Sequence, residues 1–531
     1  MYLFKQFLIS YFFCLLLQSL KIVVEAQNIQ QCPNPTEISP CTCSIKKNGL
    51  DVICEFTDFN HISKAMDGLK GRQNSIIFYL KLRHNNMPKL QGFVFLGLDI
   101  HHLTIHNSSL AVVEETSLSS IGKALTQLDI SQNSLASVPS AALKTLHQLL
   151  ILNINHNKIT TIHKKAFEGL DTLEILTLYE NKISVIESDA FRGLDKRKLK
   201  RLNLGGNELL HIPTSSLSSL DMLKKLEMQE NRISVIKEGD FEGLKHLDSL
   251  GLAHNQLNEI PARAFSHLTL LNSLELEGNQ IIRVDPDAFI GLEENLQYLK
   301  LGDNNLHTVP SDALRRLHRL RHLDLRANNI SNLLEDSFTG YGDSITFLNL
   351  QKNMIKILPP LVFESLNSLE ILNLQNNKLM HIPEDVTENI VDTLKLLDIT
   401  VSETRSRTNS TSSSSSNTSS YSSSSSDSTS SRTNTADEDN PLLCDCELHW
   451  FTIWLSNLRE KDEEIMSKKR TVCTMLQEHR EYLVQKMPLQ KLGCIKSKNP
   501  ERALSTSFTV RKTYSPIFIL IVLLLIWSFS K

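Results

Sequence analysis

Residues 173–183 read LEILTLYENKI, and variants of this stretch recur about every 24 residues through most of the chain. Apolar residues stand at its first, fourth and sixth positions, Asn at its ninth and Leu or Ile at its eleventh. A fixed period of this length predicts a solenoid, because each unit buries its apolar face only against its neighbours. Side chains alternate along a strand, so the third, fifth and seventh positions are expected to point outward. The expected architecture is an α/β solenoid with one parallel β-sheet lining its concave face.

The clearest copies occupy 125–135, 149–159, 173–183, 199–209, 223–233, 247–257, 271–281, 296–306, 320–330, 345–355 and 369–379. Two weaker copies, 77–87 and 100–110, precede them, and the second has Ser108 where Asn belongs. An inward Asn closing each strand satisfies turn amides of its own and neighbouring coils, which explains a polar residue in an apolar column. These Asn residues are therefore read as structure. On the return side Ala-Phe-x-x-Leu recurs at 166–170, 190–194, 264–268 and 288–292, with Phe241, Phe338 and Phe363 in the same slot. They predict a stacked convex spine.

Lys5, an apolar run over 7–17 and Val24-Glu25-Ala26 before Gln27 read as a secretory leader over 1–26. Its removal takes Cys14 and leaves eight cysteines in two clusters. Cys32, Cys41, Cys43 and Cys54 precede the repeats; Cys444, Cys446, Cys473 and Cys494 follow them. The even count points to disulfides in an oxidising compartment. Zinc is the competing reading, but neither cluster has the CxxC or HxxxH spacing of a structural zinc site. Sequence alone leaves three pairings open within each cluster. The end coils of a solenoid need a lid, which gives the clusters a purpose.

This organisation predicts a leader (1–26), an amino-terminal cap (27–71), 13 or 14 repeats (72–401), a Ser-rich insert (402–439), a carboxy-terminal cap (440–495), a spacer (496–515) and an apolar tail (516–531). The tail is shorter than the roughly 20 residues of a spanning helix. Preceded by a polar spacer and by Ser505, Thr506 and Ser507, it reads as a signal for a GPI anchor attached at Ser505 or a neighbour. A short single-pass helix is the alternative. The insert interrupts the last repeat after Ile399, and Asn440 resumes the pattern. It has too few apolar residues to order itself, and Asn409 and Asn417 within it are glycosylation sequons. Asn107 and Asn329 are sequons within the repeats.

The third column reads Gln127, Ile151, Ile175, Arg201, Lys225, Ser249, Ser273, Tyr298, His322, Phe347, Ile371 and Leu396. Tyr298, Phe347, Ile371 and Leu396 are the candidates for a partner-binding stripe on the later coils. The middle coils mix both signs of charge, and net charge is only −3, so no nucleic-acid partner is expected. His102 and His106 share a strand face but lack a third ligand. No catalytic constellation, phosphate loop or cofactor site is found, and the chain is not expected to be an enzyme.

The stretch Asn440-Pro441-Leu442-Leu443-Cys444-Asp445-Cys446, with Trp450 and Trp454, resembles the carboxy-terminal cap of extracellular leucine-rich repeat proteins. Cys32-Pro33 with Cys41-Thr42-Cys43 resembles their amino-terminal cap. Over about 27–494 the chain is similar to connectin- and chaoptin-like adhesion molecules of arthropods. The resemblance implies a leucine-rich repeat horseshoe with the pairs Cys32–Cys43, Cys41–Cys54, Cys444–Cys473 and Cys446–Cys494. It also implies a cell-surface glycoprotein that binds a protein ligand, or the same protein on another cell, and is held to the membrane by a lipid anchor or short helix. A co-receptor without its own signalling domain and a non-catalytic subunit of a secreted enzyme are the alternatives.

Overall fold

Positions three to five of each repeat form the strand. Ile175–Thr177 pairs in parallel with Ile151–Asn153 on one side and Arg201–Asn203 on the other, with Leu176 in register with Leu152 and Leu202. The computed structural model describes residues 31–70, 75–194, 197–399, 440–457, 471–492 and 494. Among these, sixteen strands join one sheet in sequence order, interleaved with short edge pairs on the flank. The first pair, Thr42–Lys46 and Gly49–Glu55, is antiparallel, so the expected all-parallel sheet begins with a cap hairpin. The two repeats that look weakest in sequence have long strands of eight residues each, Ile76–Arg83 and Asp99–His106. Both are rich in β-branched and aromatic side chains, which favour a pleated surface.

The ninth-position Asn residues form a ladder. Asn181 Nδ2 donates to the carbonyls of Leu178 in its own coil (3.1 Å) and Ile154 in the previous one (3.0 Å), and Oδ1 accepts the Ile159 N–H (3.2 Å). Ser108 substitutes in part. Its Oγ donates to the Leu82 carbonyl and accepts the Asn85 N–H, both at 3.3 Å. One residue before each ladder position the backbone turns left-handed. This holds from Phe56 (φ 55°) and His84 (56°) through Gly206 (63°) and Gly278 (70°) to Asn376 (56°).

The convex Phe residues are buried but do not form one continuous spine. Phe167 stacks with Phe191 (5.9 Å), Phe265 with both Phe241 (5.8 Å) and Phe289 (6.3 Å), and Phe338 packs on Phe363 (6.1 Å). Before the first group the slot holds Leu143, and between the groups Leu217 and Leu314, each ending a single helical turn (Ser140–Leu143, Thr214–Leu217, Ser311–Leu314). Pro139, Pro213 and Pro310 precede those turns with φ between −77° and −80°. Proline fixes φ and lacks an N–H, so it starts a helical turn at no hydrogen-bond cost.

Both ends of the core are covered. Helix α1 (Phe59–Leu69) starts at Asp58, whose carboxylate accepts the Asn60 and His61 N–H groups, and buries Ile62, Ala65, Met66 and Leu69. Disulfides join Cys32 to Cys43 and Cys41 to Cys54 beside it. At the other end Cys444 is joined to Cys473 and Cys446 to Cys494. Helix α2 (His449–Ser456) sets Trp450 against the last coils, with its indole N–H donating to the Ile382 carbonyl at 2.7 Å. One apolar core runs from Ile38 to Leu492.

Asn440 takes the ladder position of the last repeat. Its Oδ1 accepts the Leu379 N–H (3.1 Å) and its Nδ2 donates to the Leu374 carbonyl (2.8 Å). Asn377 makes the same two bonds one coil earlier, with Ile355 N–H (3.1 Å) and Leu350 O (2.9 Å). The leader, the insert with Asn409 and Asn417, Ser505 and the tail lie outside the described residues. Among the described residues no helix is long and apolar enough to cross a membrane.

Candidate binding face

The concave face is built from positions three, five and seven, but these columns are not equally available. At the fifth position Asn and Asp turn back on their own strand. Asn153 accepts the Asn155 N–H, Asp324 the Arg326 N–H, Asn349 the Gln351 N–H and Asn373 the Gln375 N–H, each at 3.0 Å. Such side chains close the turn and are spent as recognition groups.

On the middle coils the charges are paired within and across strands. Arg201 grips Glu227 through Nε (2.8 Å) and Nη2 (2.9 Å), and Lys225 Nζ lies 3.2 Å from the same carboxylate. Lys300 Nζ bonds Glu275 (2.7 Å) and lies 3.6 Å from Glu277, while Arg326 meets Asp324 (2.6 Å) and Asp303 (3.3 Å). Burial pushes the Glu277 carboxyl above the usual carboxylate range against the pull of Lys300. Half-exposed pairs of this kind are worth little individually, but they leave the band close to neutral.

The later coils differ. Registered pairing aligns Tyr298 with His322, His322 with Phe347, Phe347 with Ile371 and Ile371 with Leu396. The four sequence candidates thus fall into one row, completed by His322, which the sequence reading leaves out of the stripe. Tyr298 is 44% exposed, and the other members are half-buried. The His322 and Phe347 rings stack at 4.0 Å, and Tyr298 lies 6.0 Å from His322. Burial is the main cause holding the His322 imidazole below its ordinary pKa, with Lys300 adding and Asp324 opposing.

Other features frame the face. At its amino-terminal end Phe78, Tyr79, His101 and His102 form a ring cluster, with Phe78 and His102 4.6 Å apart. Of the two sequons in the repeats, Asn107 is exposed and Asn329 half-buried. Among the described residues no group of three metal-ligating side chains gathers. A cavity of about 850 Å³ opens between the last coil and helix α2, lined by Glu384, Asp385, Glu388 and Asp392 with Trp450 and Trp454.

Seven overlapping stretches match the leucine rich repeat family: 123–178, 147–196, 197–257, 246–294, 271–330, 294–355 and 319–379. Residues 123–379 are leucine-rich repeats. Among solved structures, the TLR13–ssRNA13 complex contains a chain 25% identical, with a TM-score of 0.57 over 77% of this chain and 56% of that one. The Toll–Spatzle complex of Drosophila contains one 21% identical, with a TM-score of 0.55 over 81% and 56%. This chain therefore spans just over half the length of each. The second likeness is one of fold.

Proposed function

We propose that this chain is an extracellular recognition glycoprotein, acting in cell adhesion or cell–cell recognition, that binds a protein partner through the row Tyr298–His322–Phe347–Ile371–Leu396. The observation that carries the reading is the row itself. It places five aromatic or aliphatic side chains side by side on a rigid sheet, next to a band whose charges are already paired. Interface centres are enriched in aromatic residues and depleted of free charge, and this end of the face fits that description. A nucleic acid calls for an unpaired basic track, and the middle coils offer paired ones. Leucine-rich repeat chains in the TLR13–ssRNA13 and Toll–Spatzle complexes have ligands, which supports a binding role in general terms.

Four disulfides capping both ends support an oxidising, extracellular setting. The leader over 1–26 and attachment of a lipid at Ser505, ahead of the tail 516–531, complete the proposal. Release of the protein from cells by a phosphatidylinositol-specific phospholipase is the expected result for the anchor; retention points to a spanning tail.

The function is tested by mixing cells that express the full chain with expressing and non-expressing cells. Clustering that is lost in Phe347→Ala supports adhesion through the row. Expressing cells that never cluster, with themselves or with others, sink adhesion. Cross-linking of the soluble ectodomain to cell surfaces then decides whether a signalling receptor or a secreted catalytic chain is the partner instead.

A further inference from the structure

The amino-terminal end of the concave sheet holds an expensive side chain. Phe56 is 80% exposed and sits in the left-handed turn column with φ 55°. A left-handed backbone is disfavoured for any residue with a Cβ, and an unburied ring forgoes its transfer from water. Elsewhere Gly206, Gly278 and polar residues such as Gln132 and Asn376 meet the same backbone demand without exposing a ring. Phe56 lies flat against His84, 5.4 Å between ring centroids and 11° from parallel. Next in the column, Asn107 Nδ2 lies 2.9 Å from His84 Nδ1. Asn107-Ser108-Ser109 is a sequon in which Asn107 and Ser109 are exposed and Ser108 is fully buried beneath them.

We propose that Asn107 carries an N-linked glycan whose first sugars lie over the His84–Phe56 ring pair. The donor is a lipid-linked glycosyl pyrophosphate. Asn107 Nδ2 bonds to the anomeric carbon of its N-acetylglucosamine, the carbon–oxygen bond to pyrophosphate breaks, the lipid pyrophosphate leaves, and Nδ2 gives up one proton to a base. The substituted amide keeps its other N–H, which remains available to His84 Nδ1. That contact aims the sugar along the turn column toward Phe56. Adjacent strands are about 4.8 Å apart, so Phe56 stands about 10 Å from Asn107, within reach of the proximal sugars. A pyranose presents an apolar C–H face, and the paired rings offer a flat surface for it. The rings then shed the water that makes Phe56 costly. The glycan holds the first coils of the concave face, which leaves the later coils to a protein partner. The inference stands on the sequon and the rings and does not rest on the row at Phe347.

The test uses the full chain from a secretory host. Glycopeptide mass spectrometry is expected to find Asn107 occupied. Ser109→Ala removes the sequon and leaves the Asn107–His84 contact in place. Phe56→Ala is expected to lower the melting temperature by a few degrees in the glycosylated protein, and to leave it unchanged or raise it in the Ser109→Ala background. His84→Ala is expected to show the same dependence on the sugar. An unmodified Asn107 in the secreted protein overturns the proposal, as does a Phe56→Ala shift of the same size and sign in both backgrounds.

Discussion

His322 and Phe347, on neighbouring strands, lie ring on ring, 4.0 Å apart and within 3° of parallel. The pair sits at the centre of the apolar row, where truncation removes area from both faces of the stack. Phe347→Ala is expected to weaken partner binding by about 2 kcal/mol, roughly 30-fold in Kd. Folding stability should change by about 1 kcal/mol or less, since the ring is half-buried on the sheet surface and no core cavity opens. Titration calorimetry with the partner, beside urea unfolding of the same variant, separates the two effects. Unchanged affinity removes the row from the interface.

Acid should weaken both the fold and the complex. Burial holds His322 and His102 below the usual 6.5 in the folded protein. For such groups the stabilisation is fully present above about 6.5 and is lost as pH falls through the depressed folded values, because the unfolded chain binds the proton first. Around His322, Lys300 on the preceding strand pushes the same way, Asp324 on its own strand pulls against it, and Phe347 on the following strand is uncharged. A partner covering the stack desolvates His322 further, so affinity is expected to fall between pH 7.5 and 5 by about tenfold. His322→Phe should flatten that profile. A profile as steep as that of the unaltered protein locates the titrating group elsewhere.

The ladder is expected to dominate stability coil by coil. Asn255 donates to Met228 and Leu252 carbonyls (3.0 and 3.1 Å) and accepts the Ile233 N–H (3.0 Å). Asn255→Ala leaves the buried Ile233 N–H without its acceptor and the Met228 and Leu252 carbonyls with one donor each, from Asn231 and Asn279, and should cost about 2 kcal/mol in chemical unfolding. Asn255→Ser should cost less, because Ser108 shows that a hydroxyl reaches the preceding carbonyl and takes a neighbouring N–H. Equal melting of the Ala and Ser variants counts against this account.

The repeat was readable because every copy places the same physical demand on a side chain. Leu176, Leu202 and Asn181 meet it with the same residue types throughout, and chemistry then repeats along with period. The left-handed column was not readable, since its demand falls on the backbone and residues as unlike as Phe56, Glu180 and Gly278 answer it. Asn153 and Asp324 stand at the fifth position, where alternation predicts an outward side chain, although an Asx side chain two residues before a turn amide is a signal for local closure. His322 is absent from the stripe predicted by sequence because its apolar contact with Phe347 is made only by strand register. The breaks in the Phe spine were legible in Pro139, Pro213 and Pro310, whose effect on the return segment outweighs the Ala-Phe pattern around them.

The same register argument yields the sharpest prediction at the carboxy-terminal end. Ile399 is the sixth position of the last repeat and Asn440 is the ninth in space; in the sequence two residues, Thr400 and Val401, separate Ile399 from the insert. Deleting 402–439 therefore restores the spacing of every other copy, with no change in the hydrogen bonds to Leu379 and Leu374. Loop-closure entropy grows only slowly with length, so stability should rise by about 1–3 kcal/mol at most. Asn440→Ala should cost about 3 kcal/mol in the parent and in the deletion variant alike, because the buried Leu379 N–H and Leu374 carbonyl lose the same partner in both. Thermal melting and limited proteolysis of the four proteins check this. If the deletion unfolds the cap while Asn440→Ala leaves it intact, the joint is made by the insert and not by the ladder.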